Sequence, residues 1–135
     1  MTTVELEYLC DSCSRPVADG QGSLYINFSE VRAHQSAHAE WEANRDPAGA
    51  IDIMSLLGLP KPATWHIHHD VCSTDGAGDY DIGVEQVRTW RDLLAWTAHL
   101  MEKNWLPDTD WRSVIGNAAN GRDRRIVELA RGDAA

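Results

Sequence analysis

The chain has 135 residues, of which 43% are hydrophobic, and a formal net charge of −9 at pH 7. This length and composition predict one compact globular domain and exclude an intrinsically disordered chain. The apolar runs are far shorter than the ~20 residues that span a bilayer, and the N-terminal residues lack the basic and apolar blocks of a secretory signal. We therefore expect a cytoplasmic protein that does not associate with membranes.

The negative charge is unevenly distributed along the chain. Residues 1–111 contain seven Lys/Arg and eighteen Asp/Glu, whereas residues 112–135 contain five Arg and three acidic residues. Because an acidic protein repels phosphate backbones, nucleic-acid binding is disfavoured for the chain as a whole. We interpret the C-terminal arginines as the solvent-facing side of a short helix, and DNA binding through residues 109–131 as the alternative.

The predicted elements of the first half are two strands and two helices. Residues 4–9 alternate as a short strand, and residues 23–28 have a period of two. We expect these strands to pair as a β-hairpin around a turn at 10–13. A helix is predicted from about residue 29 to residue 44, and a short one over 51–57.

The second half is predicted to be mainly helical. A further strand over 64–69 precedes a flexible acidic loop at 73–79. A long helix is expected over 82–103, because its apolar residues fall on one broad face. Two shorter helices are expected over 110–118 and 123–130.

The cysteines form the most informative pattern in the chain. All three belong to two pairs of ligand-type residues, Cys10-Asp-Ser-Cys13 and His69-Asp-Val-Cys72. The two-residue spacing lets a backbone turn direct both side chains of a pair at one ion, and a Cys3His set suits tetrahedral zinc. Polar turn residues follow Cys13, whereas a redox-active pair would begin a helix, so the pattern favours a metal over a disulfide. The imidazole favours zinc over iron.

The fourth ligand is a choice between two neighbouring histidines. His69 has the two-residue spacing to Cys72 and is the predicted ligand. His68 is the alternative, because strand ends often twist where ligands are presented.

Further histidines raise the possibility of a second, catalytic metal site. His66, His68 and Asp70 share one face of the predicted strand, and two imidazoles with a carboxylate suit an open zinc or iron centre. His34 and His38 lie one helical turn apart and could face one ion. The interpretation we prefer is that these side chains lie on solvated faces. No nucleophile elbow, phosphate-binding loop or dinucleotide-binding glycine pattern occurs, so no catalytic residue is assigned.

The six tryptophans divide between core and surface. Trp90 and Trp96 are expected in the core, and Trp65 is expected to pack over the metal site. The others could be core residues or form an exposed protein-binding patch: Trp41, Trp105 and Trp111.

Two segments resemble small zinc-binding proteins of actinobacteria and their phages. They are residues 8–28, which include Tyr-Leu-Cys-Asp-Ser-Cys-Ser-Arg-Pro-Val, and residues 65–111, which include Trp-His-Ile-His-His-Asp-Val-Cys. The bias towards Ala, Asp, Arg and Trp is similar to that of high-GC genomes. The resemblance implies a zinc-stabilised module and no particular activity.

These observations predict an α+β fold in a single zinc-stabilised domain over residues 1–135. Its zinc-binding part, residues 1–80 with a helical insertion, is expected to contain the β-hairpin zinc knuckle. Its helical part, residues 81–135, is expected to supply the long helix and two or three shorter ones.

The predicted function is a non-enzymatic protein-interaction or regulatory module with a structural zinc ion at Cys10, Cys13, His69 and Cys72. One alternative is a metal-dependent hydrolase or nuclease that uses His66, His68 and Asp70. The other is a DNA-binding regulator that uses C-terminal helices. The tryptophan-rich helices could support a dimer, but nothing in the sequence requires an oligomer.

Overall fold

The structure is a computed structural model that describes residues 3–44, 59–73 and 78–131. This part of the chain forms five strands in two antiparallel sheets and three α-helices, so the predicted α+β class is confirmed. The short helix predicted over 51–57 lies outside the described residues, as does most of the acidic loop that follows Ser73.

The three-stranded sheet lies at the centre of the fold. Its middle strand, β2 (Gly22–Ile26), pairs antiparallel with β3 (His66–His69) on one side and β4 (Tyr80–Gly83) on the other. All five residues of β2 are buried, as expected for a strand with neighbours on both edges. A row of fully buried aliphatic side chains crosses the sheet at matching register positions: Ile67, Leu24 and Ile82.

The second sheet joins the beginning and the end of the described chain. Strand β1 (Thr3–Tyr8) pairs antiparallel with β5 (Ile126–Arg131) from Tyr8↔Ile126 to Thr3↔Arg131. The β-hairpin predicted from the strands on either side of the cysteine turn is therefore not formed. Strands β1 and β2 belong to different sheets, because residues between them form a compact turn closed by a bridge between Leu9 and Pro16.

Strand β5 replaces a predicted helix. The interpretation of residues 123–130 as helical was wrong, because Ile126 and Val127 are β-branched and find a long pairing partner in β1. The side chain of Ile126 is buried, whereas those of Val127, Glu128 and Leu129 are exposed. Pairing with a strand more than a hundred residues away in the sequence makes this segment a strand and not a helix.

The longest helix lies in the first half of the chain. Helix α1 (Phe28–Ala43) is followed by α2 (Trp90–Leu100) and α3 (Trp111–Ala119). The long helix predicted over 82–103 was wrong in its first third, which forms the end of β4 and a 3₁₀ turn. Helix α2 begins where the Thr89 hydroxyl accepts a hydrogen bond from the Asp92 amide at 3.1 Å. No helix in the described ranges has the length and apolar composition needed to cross a bilayer.

An aromatic cluster forms one end of the core. Trp65, which immediately precedes β3, packs against Trp111 with ring centroids 4.8 Å apart, and both side chains are buried. Trp105 and Tyr80 complete the cluster at 6.3 and 6.5 Å from Trp65. The Trp65 indole N–H donates to the Thr109 hydroxyl at 3.1 Å. Trp111 is therefore a core residue and not part of an exposed patch.

Candidate metal centre

The first arm of the site is a tight turn that follows β1. The Ser14 amide donates to the Cys10 carbonyl at 2.8 Å, and the Cys10 amide donates to the Arg15 carbonyl at 3.0 Å. Ser14 has a φ of 61°, a left-handed conformation that lets the chain reverse direction here. The turn brings Cys13 back beside Cys10.

The second arm is the end of β3 and the short 3₁₀ turn Asp70–Cys72. This turn places the Cys72 Sγ atom 3.8 Å from Nδ1 of His69. The two arms are held together by a reciprocal pair of hydrogen bonds. The Asp11 amide donates to the Ile67 carbonyl at 2.7 Å, and the Ile67 amide donates to the Asp11 carboxylate at 2.9 Å.

The four predicted ligands converge where the arms meet. The potential ligand atoms of Cys10, Cys13, His69 and Cys72, here named the Cys3His cluster, all lie within 4.8 Å of one another. The Cys13 Sγ atom is 3.4 Å from His69 Nδ1. A tetrahedral zinc ion separates neighbouring ligand atoms by about 3.5–3.8 Å, so the cluster has dimensions that could hold a metal ion.

A hydrogen bond from its Nε2 atom holds the ring of His69 in a fixed orientation. Its Nε2 atom lies 2.9 Å from the Pro16 carbonyl oxygen, which can only accept, so Nε2 carries a proton. When the ring is neutral, Nδ1 therefore presents its lone pair to the sulfur atoms. A backbone carbonyl that fixes the tautomer in this way is typical of metal-binding histidines. His69, rather than the alternative His68, belongs to the Cys3His cluster.

The thiols differ in their electrostatic environment. Burial opposes ionisation of Cys10, but hydrogen bonds from the backbone of Cys13, His69 and Ser12 outweigh it and lower its pKa to about 5. Burial raises the pKa of Cys72 to about 11, and its interactions with the Cys10 and Cys13 sulfurs add to this effect. The surroundings therefore favour the thiolate form at Cys10 and disfavour it at Cys72.

A second group of potential ligands lies beside the first. His66 and His68 point to the same side of β3, as predicted, but their carboxylate neighbour is Asp11 and not Asp70. Asp70 begins the 3₁₀ turn, so the strand alternation that placed it with the two histidines ends at His69. The potential ligand atoms of Asp11, His66 and His68, here named the His2Asp cluster, also lie within 4.8 Å of one another.

Sequence reasoning missed Asp11 because the residue lies inside the first cysteine pair. Its contribution depends on the docking of the cysteine turn against β3. The sequence did contain one indication of its role. If the two ligand pairs meet at one ion, a residue between Cys10 and Cys13 must lie close to the residues that flank the second pair.

The histidines of α1 do not form a further site within the described residues. His34 Nδ1 lies 3.1 Å from the Asp108 carboxylate, and the rings of His34 and His38 are 5.9 Å apart. His34 therefore links α1 to the 3₁₀ turn Leu106–Asp108.

Comparison of the chain with protein-family models, with curated proteins and with solved structures gives no match. The resemblance to small zinc-binding proteins of actinobacteria and their phages therefore stays a prediction.

Proposed function

We propose that the Cys3His cluster binds one structural zinc ion and that the chain is a non-enzymatic protein-interaction or regulatory module of the cytoplasm. The observation that carries the zinc proposal is the convergence of four ligand atoms from two distant segments. Three thiolates and one imidazole fill a tetrahedral shell, so a zinc ion here would stabilise the fold and have no open position for a substrate.

The surroundings of the Cys3His cluster indicate why a metal ion would be needed to hold its two arms together. Cys13 is exposed, His69 and Cys72 are half-buried, and the neighbouring Val71 is 94% exposed. Few apolar contacts are therefore available to hold the second arm in place. Metal binding that requires the folded arrangement contributes its free energy to folding.

Support for a protein partner comes from the exposed face of α2. Leu94 and Met101, the residue that immediately follows α2, are each 72% exposed and lie seven residues apart, with the exposed Ala98 between them on the same face. These three residues, the α2 patch, form an apolar stripe on a protein of net charge −9. We propose that the partner is a protein with an apolar groove bordered by basic residues.

The zinc proposal is tested by elemental analysis of the purified protein and of a Cys13→Ser variant. The variant is expected to contain one zinc ion fewer per chain than the wild type. A His99→Gln variant is the matched control, because His99 lies in α2 outside both clusters. Equal zinc content in wild type and Cys13→Ser would contradict the proposal.

The partner proposal is tested with a Leu94→Ser/Met101→Ser double variant. A partner retained by the wild type is expected to be lost from the double variant, at unchanged zinc content. Val71→Ser is the control, because it removes an exposed apolar side chain elsewhere. Equal retention by the double variant would exclude the α2 patch, and no partner for any form would contradict the interaction proposal.

The DNA-binding alternative is tested with exposed arginines of the segment 109–131. Arg125 is unsuitable, because its guanidinium donates to the Asp11 carboxylate and to the Trp65 carbonyl. Arg122 and Arg124 are exposed and are the better choice. Salt-dependent DNA retention that falls in an Arg122→Gln/Arg124→Gln variant would favour this alternative.

A further inference from the structure

Two members of the His2Asp cluster, His66 and His68, line a polar cleft that also borders Cys72 of the Cys3His cluster. The cleft has a volume of about 330 Å³, and its lining includes His66, His68, Ser12, Tyr25 and Glu30. A cleft where a carboxylate and two imidazoles converge is the kind of environment in which proteins bind metal ions with room for a further ligand.

The imidazoles are oriented as metal-binding histidines are. His66 Nε2 lies 2.9 Å from the Glu30 carboxylate, which as an anion can only accept, so this nitrogen carries the proton and Nδ1 has the free lone pair of the neutral ring. His68 Nδ1 lies 3.0 Å from the Ser12 hydroxyl. A group that accepts from the second ring nitrogen, as the Glu30 carboxylate does from His66, fixes the ring and raises its basicity as a ligand, and the Ser12 hydroxyl limits the rotation of His68.

The carboxylate of Asp11 is also held in place. It accepts a hydrogen bond from the Ile67 amide at 2.9 Å and from the Arg125 guanidinium at 3.2 and 3.4 Å to its two oxygens. A carboxylate offers about four lone-pair positions, so these contacts fix its orientation and leave one available.

The buried aromatic ring of Tyr25 packs against both histidines. Tyr25 is 7% exposed, and its ring centroid lies 5.2 Å from that of His66 and 5.7 Å from that of His68. The two imidazoles are nearly parallel, with an interplanar angle of 29° and centroids 6.1 Å apart. The packing therefore limits the rotation of both rings before any ion binds.

We propose that Asp11, His66 and His68 form a second binding site, for a divalent transition-metal ion such as Zn²⁺ or Co²⁺, with at least one coordination position open to the cleft. Nitrogen and oxygen ligands without thiolate suit such borderline ions, and three protein ligands leave the shell incomplete. The site goes beyond the structural zinc and is independent of it in its ligands.

The two clusters are nevertheless neighbours in the chain and in space. Asp11 lies between two cysteines of the Cys3His cluster, and His68 precedes His69. His68 Nδ1 is 3.8 Å from the Cys10 sulfur. Substitution of His68 would therefore affect both clusters, and His66 is the better residue to change.

The experiment uses the full-length zinc-containing protein, dialysed to remove loosely bound metal and then titrated with Co²⁺. We expect one equivalent of Co²⁺ to bind and to give ligand-field absorption in the visible range without thiolate-to-cobalt charge transfer in the near ultraviolet. In His66→Ala this binding is expected to be lost at unchanged zinc content and circular dichroism. His99→Ala is the control and should bind like the wild type.

A second variant separates a metal site from a simple histidine–carboxylate ion pair. Glu30→Gln keeps the shape of the side chain that contacts His66 but removes its charge. We expect its Co²⁺ affinity to fall by about 10–100-fold, as for other groups that hold a ligand histidine. The same variant provides the readout if His66→Ala fails to fold.

Three results would overturn the inference. The first is that the wild type binds no Co²⁺ at millimolar concentration. The second is that both His66→Ala and Glu30→Gln bind Co²⁺ as the wild type does. The third is that bound Co²⁺ shows thiolate charge transfer while zinc is released. In the last case Co²⁺ has entered the Cys3His cluster, and the structural site stands while the second does not. Loss of Co²⁺ binding in His66→Ala together with equal zinc in wild type and Cys13→Ser would support the second site and contradict the proposed structural one.

Discussion

The two ends of β3 are stabilised in different ways. At its beginning, Trp65 is 1% exposed and packs in an aromatic cluster with Trp111, Trp105 and Tyr80. At its end, His69 is half-buried, and the chain continues into the almost fully exposed Val71. The strand thus connects an end held by apolar burial to an end with little apolar surface to bury.

This difference explains where a metal is needed. Burial of a tryptophan contributes several kcal/mol without any ion, because a large apolar area leaves water. The small side chains of the Cys3His cluster cannot contribute a comparable amount, so an ion would supply the cross-link there. The five expectations that follow test the contrast, from the largest effect to the smallest.

Removal of the proposed zinc ion is expected to have the largest effect. Structural zinc sites contribute apparent free energies of about 10–16 kcal/mol in small domains, so a chelator should lower the free energy of unfolding by several kcal/mol. Hydrogen exchange should accelerate first at residues 10–16 and 66–72, with residues around Trp111 protected for longer. Restoration of protection by added zinc is the control, and equal acceleration at both ends of β3 would contradict the contrast.

Trp65→Ala tests the aromatic end. Replacement of a buried tryptophan by alanine costs about 3–5 kcal/mol, because a large cavity is left. The expected result in denaturant unfolding is a loss of this size at unchanged zinc content. Trp41→Ala is the matched control, because Trp41 is only half-buried and should cost less.

Arg125→Gln tests the link between the two ends. The guanidinium donates to Asp11 at the metal end and to the Trp65 carbonyl at the aromatic end, and hydrogen bonds to charged groups are worth about 1.5–3 kcal/mol. A loss of this size is expected in thermal or denaturant unfolding. The exposed Arg124→Gln should have almost no effect, and equal losses in the two variants would show that the contacts of Arg125 are not the cause.

Thr109→Val tests a single buried hydroxyl at the aromatic end. This hydroxyl accepts from the Trp65 indole N–H and donates to the Leu106 carbonyl at 2.8 Å. Valine has a similar shape but leaves the indole N–H without its acceptor, at a cost of about 1–3 kcal/mol, whereas the Leu106 carbonyl still accepts from the Thr109 amide at 3.0 Å. Thr109→Ser keeps the hydroxyl and should retain more of the stability than valine does.

Val71→Ser is expected to have the smallest effect. The side chain is exposed although it lies between two members of the Cys3His cluster, so its replacement should change the free energy of unfolding by less than about 0.5 kcal/mol. A larger loss, measured in the zinc-containing protein, would mean that apolar contacts stabilise this end after all.

The elements whose signals are local were predictable from the sequence. The cysteine pairs require only a two-residue spacing, and helices near 28–43 and 111–119 require only a segment largely without Gly and Pro that is bounded by capping or turn residues. The two ligands within each predicted pair lie close together for the same reason, since each arm forms its own turn, whereas the two arms meet only through the tertiary contact between Asp11 and Ile67.

The elements that depend on distant partners were not predictable. Residues 82 and 83 were interpreted as the beginning of a helix, but Ile82 pairs across the sheet with Leu24. Residues 123–130 were predicted to be helical, but residues 126–131 form a strand because they pair with β1. Short apolar runs are compatible with both structures, and long-range pairing selects between them.

The sequence by itself determined the α+β class and the residues of the Cys3His cluster, because composition and ligand spacing are properties of short segments. Only the tertiary structure decided that Asp11 joins His66 and His68, that Trp65 faces the aromatic core, and that the cysteine turn belongs to no hairpin. The physical reason is the docking of the turn against β3 through Asp11 and Ile67, a contact between residues more than fifty positions apart.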